Sequence, residues 1–367
     1  MADRDGGAAR AVGGGGDSDN GGDGIGDDRG GDAGIFDQIR MAAPDIVFLA
    51  GPTAVGKSAV ALRLAEELGG EIVSVDSMQV YRGLNLGTAK PSAVEQQRVR
   101  HHLIDVVELN EEFDAAAFVR LARAAEAEIR ARGKVPIFCG GTGLYFRAYL
   151  EGLGESPPTD PALRAVLEAT PLAELLEELE RRDPETFGRI DRKNPRRVVR
   201  AVEVIRLTGK AFSAQRAEWR GKNASAGGTG ASADAGQVVF GLTRPAAALR
   251  RRSDERVGGM FARGLVAETR GLLAAGLEQN RTAMQAIGYR QVVEHLRGER
   301  SLAETITLVK GRTWAFARRQ LNWFRNQMRM EWVEIGDAES PDEVCARISA
   351  RMAFENEKPR INTDKHG

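Results

Sequence analysis

Eight consecutive residues carry the clearest chemistry in this chain: Gly51-Pro52-Thr53-Ala54-Val55-Gly56-Lys57-Ser58. The spacing is a glycine, four residues, then glycine-lysine-serine, the pattern of a phosphate-binding loop. Glycines let successive backbone N–H groups turn inward, a helix starting there adds its partial positive charge, and Lys57 adds a full one. A ligand with at least two linked phosphates suits such a cradle. Both flanks fit: Ile46–Ala50 reads as a buried strand and Ala59–Leu68 as a helix. A structural turn of chance composition would need neither.

Other groups must converge on that loop for a reaction to follow. Glu71–Tyr81 is a second apolar run, ending in Asp76 and Ser77. Open parallel sheets collect active-site residues at the carboxyl ends of their strands, so Asp76 stands where a catalytic carboxylate is useful. Aspartate is also a good helix N-cap, and position alone leaves both roles open. Lys134–Cys139 is a further strand, ending in Gly140-Gly141-Thr142-Gly143. An ordinary ATP hydrolase places an acidic metal ligand at such a position; here there are only glycines and the Thr142 hydroxyl. His101 and His102 are adjacent, so they cannot share a helical face, and no third ligand stands at metal spacing. They read as structural or substrate-proximal.

The elements that position these residues follow from periodicity. Strand-like runs recur at His101–Asp105, Val238–Leu242 and Trp332–Ile335, and amphipathic helices at 114–132, Ala162–Ala169 and Leu172–Arg181. Asn194-Pro195 opens another helix, with Asn as N-cap and an apolar stripe of Val198, Val202 and Ile205. Arg196, Arg197 and Arg200 crowd its first turns, against the macrodipole, which leaves a solvated face and an anion site both open. A basic helix with Arg250, Arg251, Arg252 and Arg256 contains Gly258-Gly259, each glycine weakening it by roughly 1 kcal/mol relative to alanine. From Thr305 to Met330 runs a long helix with six cations, no acidic residue, and Trp314, Phe316, Trp323 and Phe324 interleaved. Core aromatics with a solvated face would explain it residue by residue; the absence of any acidic neighbour favours nucleic acid.

The expected organisation is a Gly/Asp-rich disordered tail (1–43), the first part of an α/β core (44–155), a helical insertion ending in a flexible loop (156–236), the second part of the core (237–355), and a frayed end (356–367). Met41 is a plausible true start. The chain has 52 basic and 52 acidic residues, but residues 1–40 hold nine Asp and four Arg, which leaves the remainder about +5. That mild excess permits an anionic partner. Two cysteines in unrelated settings exclude a disulfide framework or cysteine zinc site and fit a reducing cytoplasm. No run approaches the ~20 apolar residues of a membrane span, and no signal peptide is present.

Seven stretches occur together in one order: Gly51–Ser58, Val75–Tyr81, Gly87-Thr88-Ala89-Lys90-Pro91, Gly140–Tyr145, Asn194–Arg197, Ala286-Ile287-Gly288-Tyr289-Arg290 and Arg318-Arg319-Gln320-Leu321-Asn322-Trp323. This constellation resembles the isopentenyl-tRNA transferases, the tRNA dimethylallyltransferase family, over about residues 45–335. No zinc finger follows the core, so it is similar to the bacterial form. The resemblance implies a P-loop NTPase-like α/β fold, a parallel sheet core with a helical insertion domain. It implies transfer of a dimethylallyl group from dimethylallyl diphosphate to N6 of adenosine 37, in the anticodon stem-loop of tRNA, with Mg²⁺. By the same resemblance Gly51, Pro52, Thr53, Ala54, Val55, Gly56, Lys57 and Ser58 would bind diphosphate, Ser58 would help hold Mg²⁺, and Asp76, Thr53 and Arg256 would be catalytic. Contacts to tRNA would come from Asp76, Ser77, Met78 and Gln79; Thr142; Arg164; Arg196, Arg197, Val198, Val199 and Arg200; Gln285, Ala286, Ile287, Gly288, Tyr289 and Arg290; and Arg318, Arg319, Gln320, Leu321, Asn322, Trp323, Phe324 and Arg325.

Three functions compete on these residues. A cytoplasmic, monomeric prenyl transferase uses all of them. An ATP-dependent small-molecule kinase would share the loop and Asp76 but leave the basic-aromatic helix unexplained. A non-catalytic RNA-binding protein would leave Asp76 beside the phosphate site unexplained.

Overall fold

Six strands pair side by side in a parallel sheet: β1 (Val47–Ala50), β2 (Glu71–Val75), β3 (His101–His102), β4 (Pro136–Gly140), β5 (Val239–Thr243) and β6 (Glu331–Glu334), in the order β3-β2-β4-β1-β5-β6. The computed structural model describes residues 44–153, 157–214 and 239–356. The readings of 1–43, of the loop 221–236 and of 357–367 lie outside the described residues. All five strand pairings are parallel. Both faces are covered, which is why the strands read as continuous apolar runs rather than alternating ones. Alternation survives in which face each residue enters: Phe48 and Ala50 pack in one apolar cluster, Val47 and Leu49 in the other.

Register brings the chemistry to one edge. Ala50 pairs with both Gly140 and Gly241, and Gly140 with Val75. The loops after β1, β2 and β4 therefore leave the sheet at the same level. The sequence-predicted phosphate loop, Asp76 and Thr142 follow within two residues of those strand ends.

Helix α1 (Lys57–Leu68) begins on the phosphate loop and stops at Gly69 in the left-handed conformation. Asp114 caps α3 (Ala115–Ala131), and Ser92 with Glu95 forms a capping box on the short α2 (Ala93–Arg98). Gly143, expected to end in a turn, instead starts α4 (Gly143–Glu151). The next four helices are α5 (Pro161–Ala169), α6 (Leu172–Arg182), α7 (Pro184–Arg189) and α8 (Pro195–Thr208). They enclose an apolar cluster of their own, built on Leu167, Leu175, Leu179, Val198, Val202 and Ile205.

After β5 come α9 (Ala246–Ala262), α10 (Leu265–Ala274), α11 (Tyr289–Leu296), α12 (Leu302–Gln327) and α13 (Pro341–Asn356). Gly258-Gly259 does not break α9, because buried Val257 and Met260 on either side pin it to the core. Helix α13, absent from the sequence reading, packs on α1 and buries Val344, Cys345 and Ile348. His102 contacts the Glu71 carboxylate at 2.7 Å, and Arg132 reaches the same oxygen at 2.7 Å, so the histidine pair serves the sheet edge.

Candidate active site

The phosphate loop is built by backbone conformations that few residues accept. Gly56 lies at φ 110° and Ala54 at φ 65°. The left-handed alanine costs of order 1–3 kcal/mol, a strain characteristic of functional loops. A Cβ at Gly51 would sit 2.8 Å from the Leu242 carbonyl oxygen. Turning N–H groups inward leaves carbonyls facing outward, and buried carbonyls need donors. Two arginines supply them. Arg244 Nε donates to Val55 O at 2.8 Å and its Nη1 to Gly336 O at 2.6 Å, while Arg252 Nε donates to Ala54 O at 3.2 Å. Neither residue was singled out as a site residue in the sequence. The only local signal was that both are cations in the β5–α9 segment.

Lys57 folds back on its own loop, donating to Pro52 O at 3.1 Å. Burial lowers its pKa to about 8; Cys139 and Asp76 act to raise it and Arg256 to lower it. The same burial pushes the Cys139 thiol up to about 11. The ammonium is thus held without an anionic hydrogen-bond partner among the described residues. An incoming phosphate would supply one.

Of the two roles left open above for Asp76, the capping one is visible in its hydrogen bonds. Its Oδ1 accepts from Met78 N at 2.8 Å and Gln79 N at 3.3 Å, capping the turn after β2. Its Oδ2 takes no hydrogen bond from the described residues. Thr142 Oγ1 accepts from Ser77 N at 3.1 Å, locking this turn to the end of β4. Thr53, Asp76 and Arg256 line one small cleft of about 90 Å³, whose other wall is apolar: Met78, Met260, Ile287, Val309 and Phe316. Arg256 donates through Nη2 to Thr88 O at 3.4 Å, and its buried Nε has no partner among the described residues. Burial lowers its pKa and Asp76 acts to raise it. The site therefore offers a phosphate cradle, a second cation opposite, an apolar wall and a fixed carboxylate.

The remaining predicted residues divide by exposure. Arg196, Arg197, Arg290, Arg318, Arg319, Asn322 and Arg325 are exposed. Val198 and Val199 are not surface contacts: they belong to the helical cluster. Ala286, Gly288, Tyr289, Gln320 and Phe324 are likewise buried, and of these Ala286 borders the small cleft. Gln79 has its amide engaged internally, with Ser74 at 2.8 Å and the Thr88 and Ala89 carbonyls at 3.2 and 3.3 Å. Trp323 is packed so closely on Gly143 that a Cβ there would collide with the indole. Leu321 is half-buried. Arg164 and Arg200 both face buried Glu203, at 3.6 and 2.7 Å.

A second, much larger cleft of about 1310 Å³ lies where α5, α6 and α8 meet segments 109–114 and 278–299, and its lining mixes Arg164, Arg196, Arg281, Arg290, Arg297 and Gln285 with carboxylates such as Glu111, Asp114, Glu168, Glu278 and Glu294. Arg196 donates to Gln285 across it at 2.8 Å, and Arg281 pairs with Glu168. Among the described residues no group of three or more His, Cys, Asp or Glu side chains is arranged to hold a metal ion. No helix among them is long and apolar enough to cross a membrane.

Comparison with known proteins agrees with this geometry. The family described as IPP transferase matches residues 79–327. tRNA dimethylallyltransferase 1 of Trichlorobacter lovleyi is 46% identical over 294 residues, covering 79% of this chain and 93% of the relative. A tRNA dimethylallyltransferase of Geobacillus thermodenitrificans is 42% identical, covering 84% and 98%. The crystal structure of a tRNA isopentenylpyrophosphate transferase from Bacillus halodurans superposes with a TM-score of 0.62 at 35% identity, covering 86% of this chain and 97% of that one. A eukaryotic dimethylallyltransferase solved acting on tRNA gives 0.68 at 25% identity, covering 84% and 77%. With this extent of identity on a P-loop sheet whose cleft holds Thr53, Asp76 and Arg256 together, the chain belongs to the IPP transferase family.

Proposed function

We propose that this protein transfers a dimethylallyl group from dimethylallyl diphosphate to N6 of adenosine 37 in tRNA, releasing diphosphate. The observation that carries the reading is the small cleft: a half-apolar space lined by Arg256 and by a carboxylate held in its own turn, with Lys57 of the phosphate loop close enough to feel the charges of both. A small-molecule kinase would have no use for the apolar wall of Met260, Val309 and Phe316 beside the phosphate loop.

In this reading the loop amides, Lys57 and Arg256 hold the diphosphate and stabilise the charge that grows on it as the allylic C–O bond breaks. The prenyl carbons lie on the apolar wall. Adenine N6 is a poor nucleophile, so the free Oδ2 of Asp76 takes its proton as the new C–N bond forms. Stacking hides that amine, and the base is extruded into the cleft to react. Ser58, exposed at the start of α1, offers one hard oxygen ligand. With no cluster of acidic side chains among the described residues arranged to hold a metal, Mg²⁺ would be shared mainly with diphosphate oxygens and water, as this ion prefers. When bound it would neutralise the leaving group.

The anticodon arm would enter the large cleft, where Arg164, Arg196 and Arg290 meet its phosphates, while Arg318, Arg319 and Arg325 on α12 hold a flanking backbone. In this reading the protein works as a monomer in the cytoplasm, where tRNA is available. The direct test is incubation with unmodified tRNA, Mg²⁺ and dimethylallyl diphosphate, followed by digestion and mass analysis. Prenylated adenosine formed without ATP supports the reading; ATP turnover with unaltered RNA overturns it.

Two further outcomes are expected. Lys57 is charged below about pH 8 and loses its proton above it, because its folded pKa is depressed. Affinity for inorganic diphosphate should therefore fall by up to about tenfold per pH unit above that point, and Lys57→Met should remove the step in calorimetric titrations on either side of it. Arg318→Ala should weaken tRNA binding and lower the salt slope by about one phosphate contact. A slope equal to that of the parent protein would return α12 to a packing role.

A further inference from the structure

Gln320 sits in the last of the motif stretches, between the exposed Arg319 and the fully buried Phe324, and is itself only 9% exposed. Its side chain bridges two loops that are far apart in sequence. Oε1 accepts from Thr53 N at 2.8 Å, and Nε2 donates to Gly141 O at 2.8 Å. The amide orientation is fixed by the partners, since a backbone N–H can only donate and a carbonyl can only accept. A Cβ at Gly141 would collide with Gln320 Nε2, which accounts for the glycine at that site. The next residue, Thr142, holds Ser77 N beside Asp76. A chain of hydrogen bonds thus runs from Thr53 through Gln320, Gly141, Thr142 and Ser77 to the turn that carries Asp76.

We infer that Gln320 is a positioning residue: its amide sets the separation between the phosphate loop at Thr53 and the base at Asp76. The two residues line one cleft but stand on different loops, and among the described residues Gln320 is the only side chain hydrogen-bonded to both Thr53 and the β4 turn. The role rests on the prenyl-transfer reading, and it differs from an RNA contact in what it predicts. A glutamine amide satisfies both partners at any working pH. A glutamate anion accepts from Thr53 N but repels Gly141 O; a neutral carboxylic acid accepts with one oxygen and donates with the other. Displacing a reacting group by about 1 Å is enough to cost on the order of 10²-fold in rate.

The test compares Gln320→Leu and Gln320→Glu with the parent protein. Gln320→Leu should lower kcat/KM for prenyl transfer about 10²-fold and weaken binding of inorganic diphosphate severalfold, with tRNA affinity and its salt slope unaltered. Gln320→Glu should be as impaired at high pH and recover, relative to the parent protein at the same pH, as pH falls and the acid protonates; the ratio cancels the titration of Asp76. Loss of tRNA affinity in step with kcat/KM, or an activity ratio for Gln320→Glu that does not change with pH, would overturn the inference. Should Gln320→Leu fail to fold, the pH ratio of Gln320→Glu still decides. If the parent protein transfers no prenyl group, the functional reading fails by itself, and unaltered diphosphate binding in the variants would sink the positioning role separately.

Discussion

Replacing Asp76 with alanine is expected to reduce turnover by about 10²–10⁴-fold, the range for removing a positioned general base, while tRNA affinity stays near that of the parent protein. A carboxylate contributes nothing to holding an RNA phosphate, so binding has no reason to fall. Alanine also removes the cap that Oδ1 provides to Met78 N and Gln79 N. Asp76→Asn separates the two roles, because its amide oxygen can still accept from both N–H groups but its other atom cannot take a proton. Single-turnover prenyl transfer should be lost in both variants, and filter binding of tRNA retained in both. If asparagine works as well as aspartate, the residue is a cap and no more.

Arg256→Met is expected to lower kcat and to raise thermal stability together. The Arg256 guanidinium is held in the cleft with one long hydrogen bond to Thr88 O and an unpartnered Nε, and burial lowers its pKa. A buried charge with so few partners opposes folding, and an unbranched apolar side chain of similar reach relieves that cost. Each kcal/mol relieved should lift Tm by about 2–4 °C in a chain of this size. Without the cation opposite Lys57, the leaving diphosphate loses stabilisation, and kcat should fall by about 10²–10³-fold. Calorimetry and the prenylation assay on one preparation check both halves. A variant that melts lower than the parent protein would show that Arg256 contributes to the fold rather than being carried by it.

Local pattern determined a good deal of this molecule. The buried strands β1, β2, β4 and β5 are legible because a parallel sheet covered on both faces demands uninterrupted apolar runs, and each is only four or five residues long. The phosphate loop is legible because the chemistry lies in spacing along the backbone itself. Asp76 was placed at a strand end by the same logic, and the parallel register then carried it to the loop's side of the sheet. Helices α2, α7, α10 and α11 were not read from the sequence, and two more, α4 and α13, escaped notice for physical reasons. The first follows glycines that look like a turn, and the second is rich in charge, its apolar face being recognisable only once α1 is there to meet it.

What periodicity could not decide was which members of a motif face outward. Val199, Tyr289 and Phe324 share their stretches with exposed arginines, yet all three are buried. Nor could it pair residues distant along the chain. Thr53 and Gln320 are 267 positions apart, and Val55 and Arg244 are 189 apart. A sequence states which face of an element avoids water, since that is a property of neighbours three or four residues away. Which donor reaches a given buried carbonyl depends on how whole elements are stacked, and only the folded chain brings those atoms within 3 Å of each other.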